Sequence, residues 1–199
     1  MTGYEKRFKY LAEKLIKRDG IKEVMAFLDM SDFYTAPAST KYHDAHEGGL
    51  VKHTLAVFDM LTEELGFNGG YPEPAELESC AIVALFHDLC KVNFYTVSER
   101  NVKIDNKWEK VPYYTVDDKL PFGHGEKSVF MLMSLGLMPT IEEAMAIRWH
   151  MGLSVPKEDQ MAMSKAFEEF PLAVQLHIAD LKATYLTGGR DERISPKTC

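Results

Sequence analysis

An imidazole and a carboxylate stand side by side in an apolar stretch of this chain. His87 and Asp88 follow Ala-Leu-Phe at 84–86 and precede Leu89. A buried carboxylate destabilises a fold by several kcal/mol unless it is paired or bound to a metal, and neutral histidine is the commonest metal ligand. The pair therefore predicts one of two arrangements, a hydrogen-bonded pair in the core or a metal site.

Further residues of ligand type lie at interior or terminal positions of separate segments: His53, His124, His150 and Asp180. Taken singly, His53 fits a core histidine, and His150 fits a histidine that complements a helix dipole. His124 stands between two glycines, whose size lets the backbone approach another group closely. Taken together with His87 and Asp88, these nitrogen and oxygen donors predict one or two divalent ions, and they suit Fe, Mn, Ni, Co, Zn or Mg.

Helices must bring these ligands together. Apolar residues recur three and four positions apart over most of the chain, which predicts a mainly α-helical bundle. Two short helices before residue 28 are interrupted near Asp19-Gly20, and later helices are predicted at 50–65, from Glu76 onward, and at 129–137, 141–149 and 170–186. The helix from Glu76 carries His87 and Asp88. It is apolar nearly all round, so we expect it to be central and buried.

Two segments depart from helical spacing. The region around 94–116 is rich in β-branched and aromatic residues, which predicts two or three short strands as a β-hairpin inserted into the bundle. Its outward residues are mostly basic, so it is either a solvated hairpin or a flap over a substrate. The stretch at 31–47 contains proline and polar residues and predicts an ordered loop over the surface.

The composition is that of a globular protein with one core. The chain has 199 residues, of which 46% are hydrophobic and 27% charged, and this predicts one domain over 1–199. We divide it into a helical packing element at 1–30, a core at 31–186 and a polar tail at 187–199. No apolar run reaches the about 18 residues that a membrane-spanning helix needs. We therefore expect a cytoplasmic protein without a membrane partner.

Charge and cysteine content narrow the possible partners. The net charge of -7 disfavours broad nonspecific binding to nucleic acid, but it allows a small phosphorylated substrate. Cys80, Cys90 and Cys199 lack zinc-finger spacing. We expect reduced thiols, neither a disulfide framework nor a cysteine-rich zinc site.

The order of the ligand-type residues, H, HD, H, H, D, resembles the HD-domain superfamily of metal-dependent phosphohydrolases. The resemblance covers roughly residues 33–185. Within it, the motifs DFYTAPA at 32–38 and GGLVKHTL at 48–55, together with His43, are similar to the HD domain of YhaM-type 3′-5′ exoribonucleases. Those enzymes also carry a separate OB-type nucleic-acid domain, which we do not expect here, so a nucleic-acid substrate is possible but not favoured.

The resemblance implies an HD-domain/PDEase-like helical bundle with a dinuclear metal site. It implies that the first metal is held by His53, His87, Asp88 and Asp180. It further implies that Asp88 bridges to a second metal, which is completed by His124 and His150. Two divalent ions at such a site can bind a phosphate oxygen and activate water for attack on phosphorus.

Lysine stands at position 91, where many members of the family also have lysine. The resemblance assigns Lys91, together with Asp88, to catalysis, and Lys91 would stabilise the developing phosphoryl charge. Substrate contacts are predicted for Lys91, His43, Lys127 and Arg148. His177 is expected to support Asp180, for example through a hydrogen bond that orients the acid.

The implied function is hydrolysis of a phosphomonoester or phosphodiester, in a nucleotide or short oligonucleotide. One alternative keeps the six metal ligands but makes the protein a diiron oxygenase. Another is a metal-bound nucleotide sensor that turns nothing over. The residues leave the oligomeric state open.

Overall fold

The computed structural model describes residues 1–67 and 69–187 of the chain. These residues form eight α-helices and one β-hairpin, joined by loops and short turns. The helices are α1 (Gly3–Leu15), α2 (Ile21–Asp29), α3 (Gly49–Glu64), α4 (Pro74–Phe86), α5 (His124–Ser134), α6 (Ile141–Trp149), α7 (Gln160–Glu169) and α8 (Pro171–Lys182). The strands are β1 (Tyr95–Ile104) and β2 (Lys107–Val116). The predicted class, mainly α with a small β-hairpin, is confirmed.

Helix α4 lies in the middle of the bundle. Every residue from Cys80 to Phe86 is buried, as its unbroken apolar sequence predicts. Helix α3 packs between α4 and α8, while α6 contacts α4, α5 and α8. Helix α1 covers α3 and α4, so the N-terminal segment contributes to the same core as the later helices.

The loop at 31–47 is more deeply buried than we predicted. Phe33 is fully buried, and its ring lies 4.9 Å from the ring of Phe8 on α1. Phe8 in turn contacts Phe86 at the end of α4, with ring centroids 5.9 Å apart. The prediction of a surface loop was wrong here, because the segment buries an aromatic side chain against Phe8 of α1.

Several predicted helix boundaries are corrected by the structure. Helix α4 ends at Phe86, and a 3₁₀ turn at Leu89–Lys91 follows, so His87 and Asp88 lie at the end of the helix. Helix α5 begins at His124, five residues before the predicted start at 129. Helix α8 gives way to a π-helical turn at Ala183–Thr187. Helix α7 was not predicted from the sequence.

The hairpin has two strands of ten residues each, paired in register from Tyr95 with Val116 to Ile104 with Lys107. Asp105 and Asn106 form the turn with φ of 48° and 62°, as a two-residue hairpin of this twist requires. Its base is attached to the bundle, because the Tyr95 hydroxyl donates to the carbonyl oxygen of Ala38 at 3.1 Å. Its role as solvated hairpin or flap stays a prediction.

The predictions of a polar tail and of no membrane-spanning helix can be compared only with the residues that the structure describes. The predicted polar tail at 187–199 lies, apart from Thr187, outside the residues that the structure describes. Among residues 1–67 and 69–187, no helix combines the length and apolar character needed to cross a membrane.

A buried ion pair joins three parts of the bundle. Arg18, after α1, donates to both carboxylate oxygens of Glu143 at 2.5 and 3.0 Å. Glu143 on α6 is fully buried and also accepts from the Ser79 hydroxyl on α4 at 2.6 Å. The Thr140 N–H at the start of α6 donates to it at 2.7 Å. Together these hydrogen bonds compensate the loss of hydration of the Glu143 carboxylate.

Removing the cation from this pair should destabilise the fold strongly. We expect Arg18→Met to lower the free energy of unfolding by about 3 to 5 kcal/mol, because Glu143 is left buried without its partner. The control is Arg7→Met, which removes the exposed pair with Asp59 and should cost at most about 1 kcal/mol. Urea unfolding of both variants measures the difference, and equal losses would contradict the assignment.

The same network predicts an acid-dependent part of stability. Burial alone would raise the pKa of Glu143, but its bonds with Arg18 and Ser79 hold the pKa below the ordinary value of 4.5. Because the pKa of Glu143 is lower in the folded state than in the unfolded state, its ionisation stabilises the fold above pH 4.5. This stabilisation is lost as the pH falls below 4.5 and Glu143 becomes protonated. The difference in unfolding free energy between wild type and Glu143→Gln should therefore shrink in that acidic range. A difference independent of pH would exclude this contribution.

Candidate metal centre

Asp88 lies at the centre of the ligand-type residues and is 2% exposed. Its Oδ2 lies 3.4 Å from Nε2 of His87 and 3.8 Å from Nε2 of His53. Its Oδ1 lies 2.9 Å from Nε2 of His124 and 3.7 Å from Nε2 of His150. The two oxygens of one carboxylate therefore face two separate pairs of imidazoles, which is the arrangement a carboxylate needs in order to bridge two cations.

Asp180 joins the Oδ2 side of this centre. Its Oδ1 lies 3.0 Å from Nε2 of His53. Donor atoms of His53, His87 and Asp180 all lie within 4.8 Å of one another, and the same holds for His87, Asp88 and His150. All six residues predicted as metal ligands are thus brought together, although their assignment to particular ions stays a prediction.

The ligands reach the centre from five elements. His53 lies inside α3, and Asp180 lies inside α8. The other imidazoles stand at helix ends: His87 after α4, His124 at the start of α5 and His150 after α6. Neighbouring rings are in contact, with centroids 5.5 Å apart for His53 and His87, 4.8 Å for His87 and His150, and 5.1 Å for His124 and His150.

Gly125 allows α5 to come close enough to the end of α6. A Cβ atom at this position would lie 2.4 Å from the carbonyl oxygen of Arg148 and 2.5 Å from that of Ile147. These are backbone atoms, which cannot move aside without shifting the helix. The sequence predicted a close backbone approach beside His124, and the structure identifies the end of α6 as the segment approached.

The buried imidazoles are oriented as metal ligands. Nδ1 of His87 lies 2.9 Å from the carbonyl oxygen of Ala84, and Nδ1 of His150 lies 2.7 Å from that of Ile147. A carbonyl only accepts, so each Nδ1 donates, and in the neutral ring Nε2 then carries a lone pair that can bind a metal. Nε2 of His87 is buried without a hydrogen-bond partner among the described residues. A metal ion would satisfy this atom, so the residues fit a metal.

The charged groups around Asp88 shift one another's pKa values. Burial works against the charge on Asp88, but the positive charges of Lys91 and His87 keep the pKa of Asp88 well below its usual range. Burial also opposes protonation of His124, yet its bonds with Asp88 and Cys90 raise the pKa of His124 to about 10. Burial and the nearby imidazoles lower the pKa of His150 to about 3. A metal ion at His124 would compete with this proton.

Two of the predicted substrate contacts adjoin the centre. The Lys91 ammonium donates to Oδ2 of Asp88 at 2.7 Å, and 13% of its side chain is exposed. The ring of His43 lies 4.8 Å from that of His53. Burial, together with the charges of His53 and Lys91, lowers the pKa of His43 to about 4. Its imidazole is therefore neutral near physiological pH.

The other two predicted substrate contacts are engaged with acids outside the centre. Lys127 is buried and donates to Oδ1 of Asp118 at 2.5 Å. Arg148 pairs with Glu126, and its guanidinium lies 3.8 Å from the centroid of the Trp149 ring. Their contacts with substrate stay predictions.

His177 contacts a different group from the one we predicted. Its Nδ1 lies 2.7 Å from the carbonyl oxygen of His150, so it positions the backbone of that residue, whereas we expected support for Asp180. Gly152 makes room for the ring, since a Cβ atom there would lie 2.3 Å from Cε1 of His177. The sequence did show that His177 and Asp180 are one helical turn apart, but not which neighbour each one meets.

Cys90 is a residue of the centre that the sequence analysis did not assign. Its Sγ lies 3.3 Å from Nδ1 of His124, and its donor atom lies within 4.8 Å of those of Asp88 and His124. Cys80 and Cys90 are free thiols, as predicted. The only signal in the sequence was position, because Cys90 stands two residues after Asp88.

Comparison of the chain with protein-family models, curated proteins and solved structures finds no match. The resemblance to the HD-domain superfamily accordingly rests on the motif residues themselves and stays a prediction.

Metal content should depend unequally on the two acids of the centre. We expect Asp88→Ala to lose both bound equivalents of Mn²⁺ or Zn²⁺, because Asp88 faces both imidazole pairs. Asp180→Ala should lose one, because Asp180 faces only His53 and His87. Elemental analysis after dialysis measures this, with Asp59→Ala as an acid variant outside the centre. Equal metal content in wild type and Asp88→Ala would rule out the bridging role.

Proposed function

We propose that this chain is an HD-type metal-dependent phosphohydrolase, which cleaves a phosphomonoester or phosphodiester in a nucleotide or short oligonucleotide. The observation that carries the proposal is the position of Asp88. Its Oδ1 and Oδ2 face different imidazole pairs, and the centre is buried. A site for one ion would need only one carboxylate oxygen and one imidazole pair. Two adjacent cations, in contrast, suit the negative charge of a phosphoryl group.

Six residues would hold the cations. The first ion would be held by His53, His87, Asp88 and Asp180, and the second by Asp88, His124 and His150. When bound, divalent ions supply Lewis acidity, which polarises a phosphoryl oxygen and lowers the pKa of water. The orphaned Nε2 of His87 supports such occupancy. The donors admit Fe, Mn, Ni, Co, Zn or Mg.

Lys91 would supply a mobile positive charge beside the phosphoryl group. Burial opposes its protonation, but the adjacent Asp88 raises the pKa of Lys91 above its ordinary value, so the ammonium stays charged. The ammonium pairs with Asp88 at 2.7 Å. With divalent ions held by Asp88 and the imidazoles, Lys91 would be able to donate to a phosphoryl oxygen as negative charge develops there.

His43 would contact the substrate on the His53 side. Its ring packs on that of His53, and its Nε2 is buried without a hydrogen-bond partner among the described residues. A neutral imidazole can donate from one ring nitrogen and accept at the other. It is therefore suited to orient a leaving oxygen or a sugar hydroxyl. The net charge of -7 disfavours broad binding of nucleic acid but still allows a small phosphorylated substrate at a local positive site.

The proposal is tested by turnover of a defined set of substrates. Protein loaded separately with Mn²⁺, Fe²⁺, Zn²⁺ or Mg²⁺ is offered nucleoside monophosphates, cyclic nucleotides and short oligonucleotides. Release of phosphate or nucleoside and consumption of oxygen are both measured. Turnover with the redox-inert ions supports hydrolysis. Oxygen consumption restricted to the iron-loaded protein would replace the proposal by the diiron oxygenase. Tight nucleotide binding without product would replace it by the sensor.

Lys91 should affect rate rather than metal content. We expect Lys91→Ala to lower kcat by about 100-fold or more while both metal equivalents are retained, because its ammonium acts on developing charge. Lys165→Ala is the control, since Lys165 is exposed on α7 and pairs with Glu169. Steady-state kinetics and elemental analysis on the same samples separate the two effects. A Lys91→Ala variant with unchanged kcat would remove Lys91 from the mechanism.

A further inference from the structure

We infer that Cys90 supplies a thiolate to the metal site on the His124 side of Asp88, and that this site prefers a thiophilic ion such as Zn²⁺, Co²⁺ or Fe²⁺ over Mg²⁺ and Mn²⁺. The inference rests on the metal centre of the proposed function and deepens it. It makes the two metal sites chemically different.

The separations of the donor atoms suit a shared ion. Sγ of Cys90 lies 3.3 Å from Nδ1 and 3.9 Å from Nε2 of His124. Nε2 of His124 lies 2.9 Å from Oδ1 of Asp88. Zinc bond lengths to sulfur, nitrogen and oxygen place donors on one tetrahedral ion about 3.4 to 3.6 Å apart. One ion binds one nitrogen of a ring, and with Nε2 of His124 as that donor the separations of 3.9 Å from sulfur and 2.9 Å from Asp88 are each within about 0.5 Å of this range.

The chain fixes the thiol in this position. Cys90 is 2% exposed and lies in the 3₁₀ turn at Leu89–Lys91. Its N–H donates to the hydroxyl of Ser128 at 3.0 Å, and Ser128 lies on α5, the helix that begins with His124. One hydrogen bond thus ties the turn that carries Asp88 and Cys90 to the helix that carries His124.

The other described cysteine has a different environment. Cys80 lies in α4 within the hydrophobic core, and burial raises the pKa of its thiol to about 12. Cys90 lies outside that core cluster, and its sulfur lies 3.3 Å from Nδ1 of His124 and within 4.8 Å of the carboxylate of Asp88. Cys80 is therefore a structural thiol, and it offers a matched control for Cys90.

The donor sets of the two sites differ in softness. The group of His53, His87 and Asp180 offers only nitrogen and oxygen. The group of Asp88, Cys90 and His124 adds sulfur. Thiolates favour zinc and iron, while magnesium and manganese favour oxygen donors. An independent observation points to ions in this centre, because Nε2 of the fully buried His87 lacks a hydrogen-bond partner among the described residues.

The test is X-ray absorption spectroscopy of protein loaded with Co²⁺. It uses a Cys199→Ser background, so that only Cys80 and Cys90 remain, with Cys90→Ala and Cys80→Ala compared in that background. We expect a sulfur scatterer at about 2.3 Å in the parent and in Cys80→Ala, and its loss in Cys90→Ala. A sulfur-to-cobalt charge-transfer band in the near ultraviolet should follow the same pattern.

Binding affinity gives a second readout. Loss of an outer hydrogen-bond partner already weakens metal binding by 10 to 100-fold, so loss of a direct ligand should weaken binding of one Co²⁺ equivalent by about 100-fold or more. Cys80→Ala should bind both equivalents as the parent does.

The outcomes distinguish this inference from the proposed function. Cobalt bound by nitrogen and oxygen alone in the parent would overturn the role of Cys90 and leave the metal centre standing. A parent that binds no cobalt, zinc or manganese would overturn both. If Cys90→Ala fails to fold, the spectrum of the parent compared with that of Cys80→Ala still decides whether sulfur is a ligand.

Discussion

The compensation of one buried negative charge governs the interior of this protein. Asp88 is almost fully buried, and a carboxylate in such a place must be surrounded by cations or strong donors. Lys91 and His124 donate hydrogen bonds to its two oxygens, and the imidazoles of His53, His87 and His150 lie around it. The four imidazoles are also the groups that would hold metal ions together with Asp88. The electrostatic demand of Asp88 therefore explains why helices far apart in the sequence converge at this point.

Helix ends, more than helix faces, deliver the ligands. His87 and His150 each follow the last residue of a helix, and each donates from Nδ1 to a carbonyl oxygen three residues earlier. The unsatisfied carbonyls of a helix C-terminus thus set the orientation of both rings. Gly125 and Gly152 remove the Cβ atoms that would otherwise keep His124 and His177 at a distance. The hydrogen bonds to helix-end carbonyl oxygens and the two glycines together determine the geometry of the centre.

The sequence predicted the features that depend on local pattern. Helical periodicity and a run of β-branched residues were sufficient for the bundle and its hairpin. The positions of the ligand-type residues on the predicted helices, together with the family resemblance, suggested which side chains would meet at Asp88. Features that depend on distant neighbours were missed. Arg18 and Glu143 are 125 positions apart, and nothing in either local pattern indicates a buried pair. Cys90 was read as an ordinary thiol, because its neighbour His124 belongs to a helix that begins more than thirty residues later. Phe33 was assigned to a surface loop, because its partner Phe8 lies on α1.

The dispersal of the ligands from position 53 to position 180 has a consequence for folding kinetics. No short segment contains a complete ligand set, so the unfolded chain offers an ion only isolated, weak donors. Contacts of such long sequence separation form late, since the closure of large loops must precede them. Interactions absent from the folding transition state slow unfolding and leave the folding rate nearly unchanged. An ion bound at Asp88 would therefore lengthen the lifetime of the folded protein without helping the chain to reach that state.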